Sequence, residues 1–138
     1  MVEQTLVFIK PDGVEKGIVG RIITRFENKG YKMKALKMFC MSRQFAEEHY
    51  AEHAGKPFFN ALIDFVTRGP VVALILEGEA VILTVRKMLG TTNPLEAAPG
   101  TIRGDFAIQT TENIIHASSD EEAARREIEH FFGREAVR

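Results

Sequence analysis

Val71-Val72-Ala73-Leu74-Ile75-Leu76 is apolar at six consecutive positions, and no other segment constrains the fold as much. A strand sends alternate side chains to opposite faces, so a strand with no polar position has no face to give to water. The run is far too short to cross a membrane as a helix. It reads as the central strand of a sheet covered on both sides, and the rest of the chain must supply its neighbours and its cover.

Those neighbours can be placed from periodicity. Leu6-Val7-Phe8-Ile9 is a second buried strand, halted by the turn signal Lys10-Pro11-Asp12-Gly13. Val19, Ile22, Ile23 and Phe26 form a helical stripe closed by Gly30. Tyr31 to Met41 alternates as a strand, and Ser42 can cap a helix from Arg43 to about Glu52. Pro57 suits the first position of a helix striped by Phe59, Leu62, Ile63 and Val66, and Gly69-Pro70 closes it. Val81, Ile82, Val85, Met88 and Leu89 give another helix ended by Gly90. From Thr91 to about Asn113 the chain lacks clear periodicity, which in a connection this long points to function. Ile114-Ile115 is a short strand. Ser119 with Glu122 reads as a capping box for a last helix running to about Phe132, before Gly133.

The order β-α-β-(αα)-β-α-loop-β-α predicts an α+β fold: a four-stranded antiparallel sheet in a ferredoxin-like, split β-α-β sandwich, with its crossovers on one face. The 138 residues match one domain spanning positions 1–138. That length excludes protein-kinase and TIM-barrel scaffolds. Eighteen Lys and Arg against nineteen Asp and Glu give a net charge of −1, which argues against a duplex-wrapping basic surface. The single cysteine, Cys40, cannot form an intrachain disulfide and, among apolar neighbours, is expected to be a buried core thiol. With no signal-peptide pattern at the N-terminus, a cytoplasmic protein is the expectation.

A Walker-type phosphate loop is missing, since Gly55-Lys56 is followed by Pro57 and Tyr50 stands where the first glycine belongs. A dinucleotide-binding glycine fingerprint is missing too. Chemistry is sought instead at the last helix, whose stripe of Ala124, Glu127, Ile128 and Phe131 carries a carboxylate toward the core. A carboxylate there needs a partner. His116, at a strand end just before the helix N-terminus, is the candidate. A carboxylate on one imidazole nitrogen fixes the tautomer and leaves the other free to attack, and the helix N-terminus favours phosphate. Lys10, Arg86 and Arg103, at strand, helix and loop ends, could clamp a triphosphate.

Seven segments complete the pattern: TLVFIKPDG (Thr5–Gly13), His49-Tyr50, KPFF (Lys56–Phe59), GPVVALIL (Gly69–Leu76), Thr92-Asn93-Pro94, PGTIRGDF (Pro99–Phe106) and NIIHAS (Asn113–Ser118). In this order and spacing the chain resembles the nucleoside diphosphate kinases over essentially its whole length. The resemblance implies transfer of the terminal phosphate of a nucleoside triphosphate to a nucleoside diphosphate, by a ping-pong route through a phosphohistidine. It makes His116 the nucleophile, Glu127 its orienting carboxylate and Ser118 the hydroxyl linked to that carboxylate. It puts Lys10 and Tyr50 beside the transferred phosphoryl group and Arg86, Thr92 and Arg103 on the phosphates. Asn113 with Lys10 would meet the sugar, and Phe58 with Leu62 the base. It also implies Mg²⁺ held mainly by nucleotide phosphates and water, with no metal ligands from the protein. Partners would be nucleoside tri- and diphosphates and further copies of the chain, with no membrane and no obligatory nucleic acid. Pro94 and the Pro99-Gly100 loop resemble hexameric rather than tetrameric members.

The chain departs from the family where His-Gly-Ser-Asp is usual and it has His116-Ala117-Ser118-Ser119, where Thr110 replaces a common apolar residue, and in its short tail after Gly133. The expectation is a slightly altered path into the helix with activity kept. Two other functions fit parts of the sequence. One is a ferredoxin-like nucleotide- or nucleic-acid-binding regulatory module without catalysis. The other is zinc hydrolysis, since His49-Tyr50-Ala51-Glu52-His53 matches H-x-x-E-H, with His49 and His53 on one helix face.

Overall fold

The structure is a computed structural model and describes residues 1–137. Strand β1 (Val2–Ile9) leads into a short helix α1 (Pro11–Glu15) and then α2 (Val19–Lys29). Strand β2 (Lys32–Phe39), helices α3 (Arg43–His49) and α4 (Phe59–Val66), and strand β3 (Val71–Glu79) follow. The chain closes with α5 (Val81–Leu89), α6 (Ile102–Phe106), β4 (Ile115–Ala117) and α7 (Glu121–Phe132).

The strands lie in the order β2-β3-β1-β4, every neighbouring pair antiparallel, as the ferredoxin-like reading requires. The crossover helices α2 and α5 pack on one face, where Ile22, Phe26, Val81, Val85 and Leu89 meet Val7, Ile9, Val72, Leu74 and Leu76. The opposite face, carrying Leu6, Phe8, Val71, Ala73 and Ile75, is covered by α3, α4 and α7 through Ala46, Ile63, Val66, Ile128 and Phe131. Both faces of the VVALIL strand are thereby dry, which explains its lack of polar positions.

Several boundaries move for local reasons. Lys10-Pro11-Asp12-Gly13 is the start of α1 rather than an open turn, because Pro11 presets the first helical position. Gly13 is needed there: a Cβ would stand 2.6 Å from Ile9 Cγ2. Pro57 lies in a turn closed by Phe59 N–H to the Lys56 carbonyl, so α4 begins two residues later than expected. The cap of α7 is Asp120, whose carboxylate accepts from Ala123 N–H at 2.8 Å, so Ser119 and Glu122 do not form the expected capping box. Cys40 is exposed, not buried, because it follows the end of an edge strand with a neighbour on one side only.

Candidate active site

His116 sits directly across from Phe8 in the β1–β4 ladder. That register puts its ring on the α3/α4/α7 side, 5.0 Å from the Phe8 ring and 4.8 Å from that of His49. From α7, Glu127 reaches the same spot. Its Oε1 lies 3.0 Å from His116 Nε2 and accepts from Ser118 Oγ at 2.7 Å. Ser118 is itself locked to β1, its N–H donating to the Leu6 carbonyl at 3.0 Å. Burial alone would push the Glu127 carboxyl up. Hydrogen bonding and charge from His116, aided by His49 and Ser118, overcome that and hold it below its ordinary value. Glu127 is therefore an anion bonded to one imidazole nitrogen, and Nδ1 is the nitrogen left for chemistry.

Four more of the expected residues are tied together beside it. Lys10 Nζ donates to Asn113 Oδ1 at 2.7 Å, and Asn113 Nδ2 donates to the Thr92 carbonyl at 3.1 Å. Arg103 spends its guanidinium on backbone: Nη1 on Gly90 (3.0 Å), Nη2 on Ile115 (2.7 Å) and Nε on Asn113 (3.3 Å). It pins the long connection to β4 as well as bringing charge. Arg86 donates to the Ala117 carbonyl at 3.2 Å. The three cations feel one another. Burial, then the Arg103 charge, lowers Lys10 to about 8. Burial, then the Arg86 charge, lowers Arg103 to about 10. Two buried cations, Lys10 and Arg103, with the exposed Arg86 beside them suit a multiply charged anion.

Two clefts meet at Arg86. One of about 640 Å³ runs between the end of α5 and the long connection and is lined by Arg86, Thr92 and Arg103. The other, about 370 Å³, is lined by Arg86, His116 and Glu127. The expected anion site at the α7 N-terminus is not favourable. Asp120 occupies its amide, and Glu121 and Glu122 fill its first turn with negative charge.

Tyr50 is buried at the end of α3, its hydroxyl without a partner and its pKa raised by burial and then by the Glu127 charge. Phe58 is half exposed and Leu62 partly buried. Both stand on the α3–α4 hairpin, joined to Tyr50 through His53, with ring centroids 6.4 and 5.5 Å apart along Tyr50–His53–Phe58. That same hairpin overturns the zinc-hydrolase geometry. Helix α3 ends at His49 and His53 lies on a separate 3-10 turn, so the two are not one helical turn apart on one face.

The site does not offer a cage for Mg²⁺. A hard, oxygen-seeking ion would find only two buried carboxylates here, Glu127 beside His116 and Ser118, and Asp12 with its Oδ2 on the Ile114 N–H. A hard cation would arrive with a nucleotide, keeping phosphate and water ligands.

Asp12 and Ile114 were not anticipated as parts of the site, and His49 was considered only as a ligand of the zinc pattern. Asp12 holds Ile114, whose φ of 77° is a left-handed conformation that a β-branched residue adopts only when held in place. The Ile114 carbonyl in turn accepts from Lys10 N–H at 2.7 Å. His49 abuts His116, and burial followed by the His116 charge lowers its pKa to about 3. No periodicity signals any of the three, since each acts through a contact distant in sequence. Ala117, by contrast, sits in regular β4 and has no positive φ, so it needs none of the freedom of the glycine usual there.

Residues 3–137 match the family model for nucleoside diphosphate kinase. A nucleoside diphosphate kinase of Desulforamulus reducens is 57% identical over 98% of this chain and 91% of its own length. Among solved structures, the halophilic nucleoside diphosphate kinase of Halobacterium salinarum, in complex with CDP, aligns with a TM-score of 0.95 at 46% identity, covering 100% of this chain and 92% of that one. The Aquifex aeolicus nucleoside diphosphate kinase aligns with a TM-score of 0.95 at 43% identity, covering 100% of both chains.

Proposed function

The chain belongs to the nucleoside diphosphate kinase family, and on that premise we propose that it works by a ping-pong route through a phosphohistidine on His116. It is an enzyme of that kind, a phosphotransferase acting on nucleoside phosphates. The observation carrying the proposal is the 3.0 Å contact between His116 Nε2 and Glu127 Oε1. With its proton on Nε2, facing the carboxylate, the ring has its lone pair on Nδ1. Nδ1 attacks the terminal phosphorus, the bond to the bridging oxygen breaks, and its electron pair leaves with the nucleoside diphosphate. As the N–P bond forms the ring becomes positive, and the Glu127 carboxylate stabilises it. A second diphosphate then attacks the phosphorus and restores the neutral ring.

Lys10, Arg86 and Arg103 neutralise the phosphates, with Thr92 beside them, while Tyr50 flanks the transferred group and Asn113 with Lys10 meets the sugar. Phosphoryl transfer asks for positioning and charge neutralisation more than for covalent machinery. Phe58 supplies a half-exposed ring for the base, with Leu62 behind it. Mg²⁺ comes with the nucleotide. The CDP carried by the Halobacterium salinarum relative supports a diphosphate acceptor.

The reading extends to a single catalytic domain over residues 1–138, a homo-oligomer favouring a hexamer over a tetramer, and the cytoplasm. Support for assembly comes from β2, an edge strand exposing Met33, Leu36 and Met38, which would otherwise be open to indiscriminate strand pairing. The exposed thiol of Cys40 suits a reducing compartment, and among the described residues no helix is long and apolar enough to cross a membrane.

The test is to incubate the protein with terminally labelled ATP and Mg²⁺. An acid-labile, base-stable protein phosphate should appear and be chased onto added nucleoside diphosphate. No label, or unchanged label in His116→Ala, would sink the mechanism. Tight nucleotide binding without transfer would favour the regulatory-module reading.

A further inference from the structure

His49 has no part in the phosphoryl transfer described above. It packs against the rings of Phe8, Tyr50, His116 and Phe131 and stands outside the Glu127–Ser118–His116 hydrogen bonds. Yet one ligand-type atom from each of His49, His116 and Glu127 lies within 4.8 Å of the others. Glu127 also lines two cavities. It shares one of about 110 Å³ with Glu48, His49, Arg126 and His130, and one of about 370 Å³ with His116. Neither cavity is lined by all three residues, but each touches Glu127 and could admit water as a further ligand.

We infer that His49, His116 and Glu127 form a binding site for a borderline-soft divalent cation of the Zn²⁺ type, and that its occupation disables His116. Two imidazoles and one carboxylate, with a fourth position open to water, are the donor set of several zinc sites. Bonds of about 2.0–2.1 Å to a tetrahedral ion put the ligand atoms roughly 3.3 Å apart. The three side chains must close by about an ångström or more, which side-chain rotation supplies. Mg²⁺, which takes oxygen ligands and dehydrates reluctantly, is not drawn in. The nucleotide's own metal therefore leaves the site free.

The consequence lies in the tautomer. An ion bridging His116 and Glu127 takes the Nε2 lone pair and replaces the hydrogen bond between them. The ring proton moves from Nε2 to Nδ1. Nδ1 then has no lone pair with which to attack phosphorus, so the metal-bound protein does not accept a phosphoryl group. This second half rests on the reading of His116 as the nucleophile; the binding half does not.

The experiment is a titration of nucleotide-free, unphosphorylated protein with Co²⁺ as a spectroscopic stand-in, followed by Zn²⁺. One equivalent should give the intense visible absorption of four-coordinate Co²⁺, which Zn²⁺ then displaces. The signal should vanish in His49→Gln and persist in His53→Gln. Protein carrying one equivalent of Zn²⁺ should take label from ATP at least tenfold more slowly than metal-free protein. Absence of stoichiometric binding overturns the inference, as does a signal unchanged in His49→Gln, a signal lost in His53→Gln, or equal labelling of the Zn²⁺-loaded and metal-free protein. Should His49→Gln melt early, His116→Asn serves in its place, because it also removes a ligand. If no phosphorylated protein forms at all, the proposed mechanism fails while the Co²⁺ titration still judges the site.

Discussion

One oxygen of Glu127 serves two neighbours: Oε1 faces His116 Nε2 at 3.0 Å and accepts from Ser118 Oγ at 2.7 Å. Its other oxygen is outside this pair of contacts. Glu127→Gln keeps the shape but removes the charge, and the amide can present its NH₂ to His116. That would favour the tautomer with the proton on Nδ1. A loss of roughly a hundredfold or more in kcat is expected, with little change in KM. Steady-state rates and single-turnover labelling of His116 check it. A KM effect alone would mean that Glu127 serves binding rather than orientation.

Ser118→Ala removes one of those two contacts and leaves the one to His116. The buried hydroxyl is also bonded to β1, its Oγ lying 3.3 Å from Leu6 N. Loss of about 1 kcal/mol of stability is expected, and a fall in kcat about tenfold or less. Thermal melts with matched rates test this. A kcat loss equal to that of Glu127→Gln would make the hydroxyl a participant rather than a support.

The fold was largely legible because its signals are local. VVALIL marked the centre of the sheet, the Val19–Phe26 stripe marked α2, and Gly30 marked its end with a φ of 103°. The departures have other causes, a choice between two adjacent caps and the open edge of the sheet. The cap of α7 moved from Ser119 to Asp120, one residue along, and Cys40 emerged at an open edge. In the site, Glu127 was found from its misplaced charge on an apolar stripe. Asp12 and Ile114 were not, since their role exists only once residues 102 apart in sequence meet.

Arg103, expected on the phosphates, is also a structural residue. Its three bonds to the Gly90, Asn113 and Ile115 carbonyls make it a strut for the connection to β4. Leaving those acceptors without their donor should cost on the order of 2–4 kcal/mol. Turnover and melting temperature should therefore both fall in Arg103→Ala. A melt unchanged from the parent protein would restore the purely catalytic role.

Lys10 gives a pH signature. Buried and facing the Arg103 charge, its amine titrates at about 8 rather than 10.5. Since this value lies below that of the unfolded chain, the protonated amine opposes folding at neutral pH, and the penalty fades as pH rises from about 8 toward 10.5. Activity runs the other way, because the phosphates need the ammonium. kcat/KM should fall above pH 8, and nucleotide binding near that pH should take up roughly half a proton. Calorimetry in buffers of different ionisation enthalpy measures the uptake. In Lys10→Arg the fall that begins near pH 8 should disappear from the profile, whatever its height.

Phe58 tests the base site separately from the phosphates. It is 50% exposed, with Lys56 Nζ 5.8 Å from its ring centroid, so it contributes little to the core. Phe58→Ala should leave the melting temperature within a degree or two, as for most exposed substitutions. A base stacked on that ring loses about 1–3 kcal/mol on truncation. KM for nucleotide should rise by about fivefold or more, with kcat nearly unchanged, because the ring does not touch the phosphoryl group. Stacking uses the π-face that every base has, so the rise should be similar for purine and pyrimidine diphosphates. Measuring KM across the four bases decides the matter. An effect confined to one base would mean that an edge-reading contact, not the Phe58 ring, holds the nucleoside.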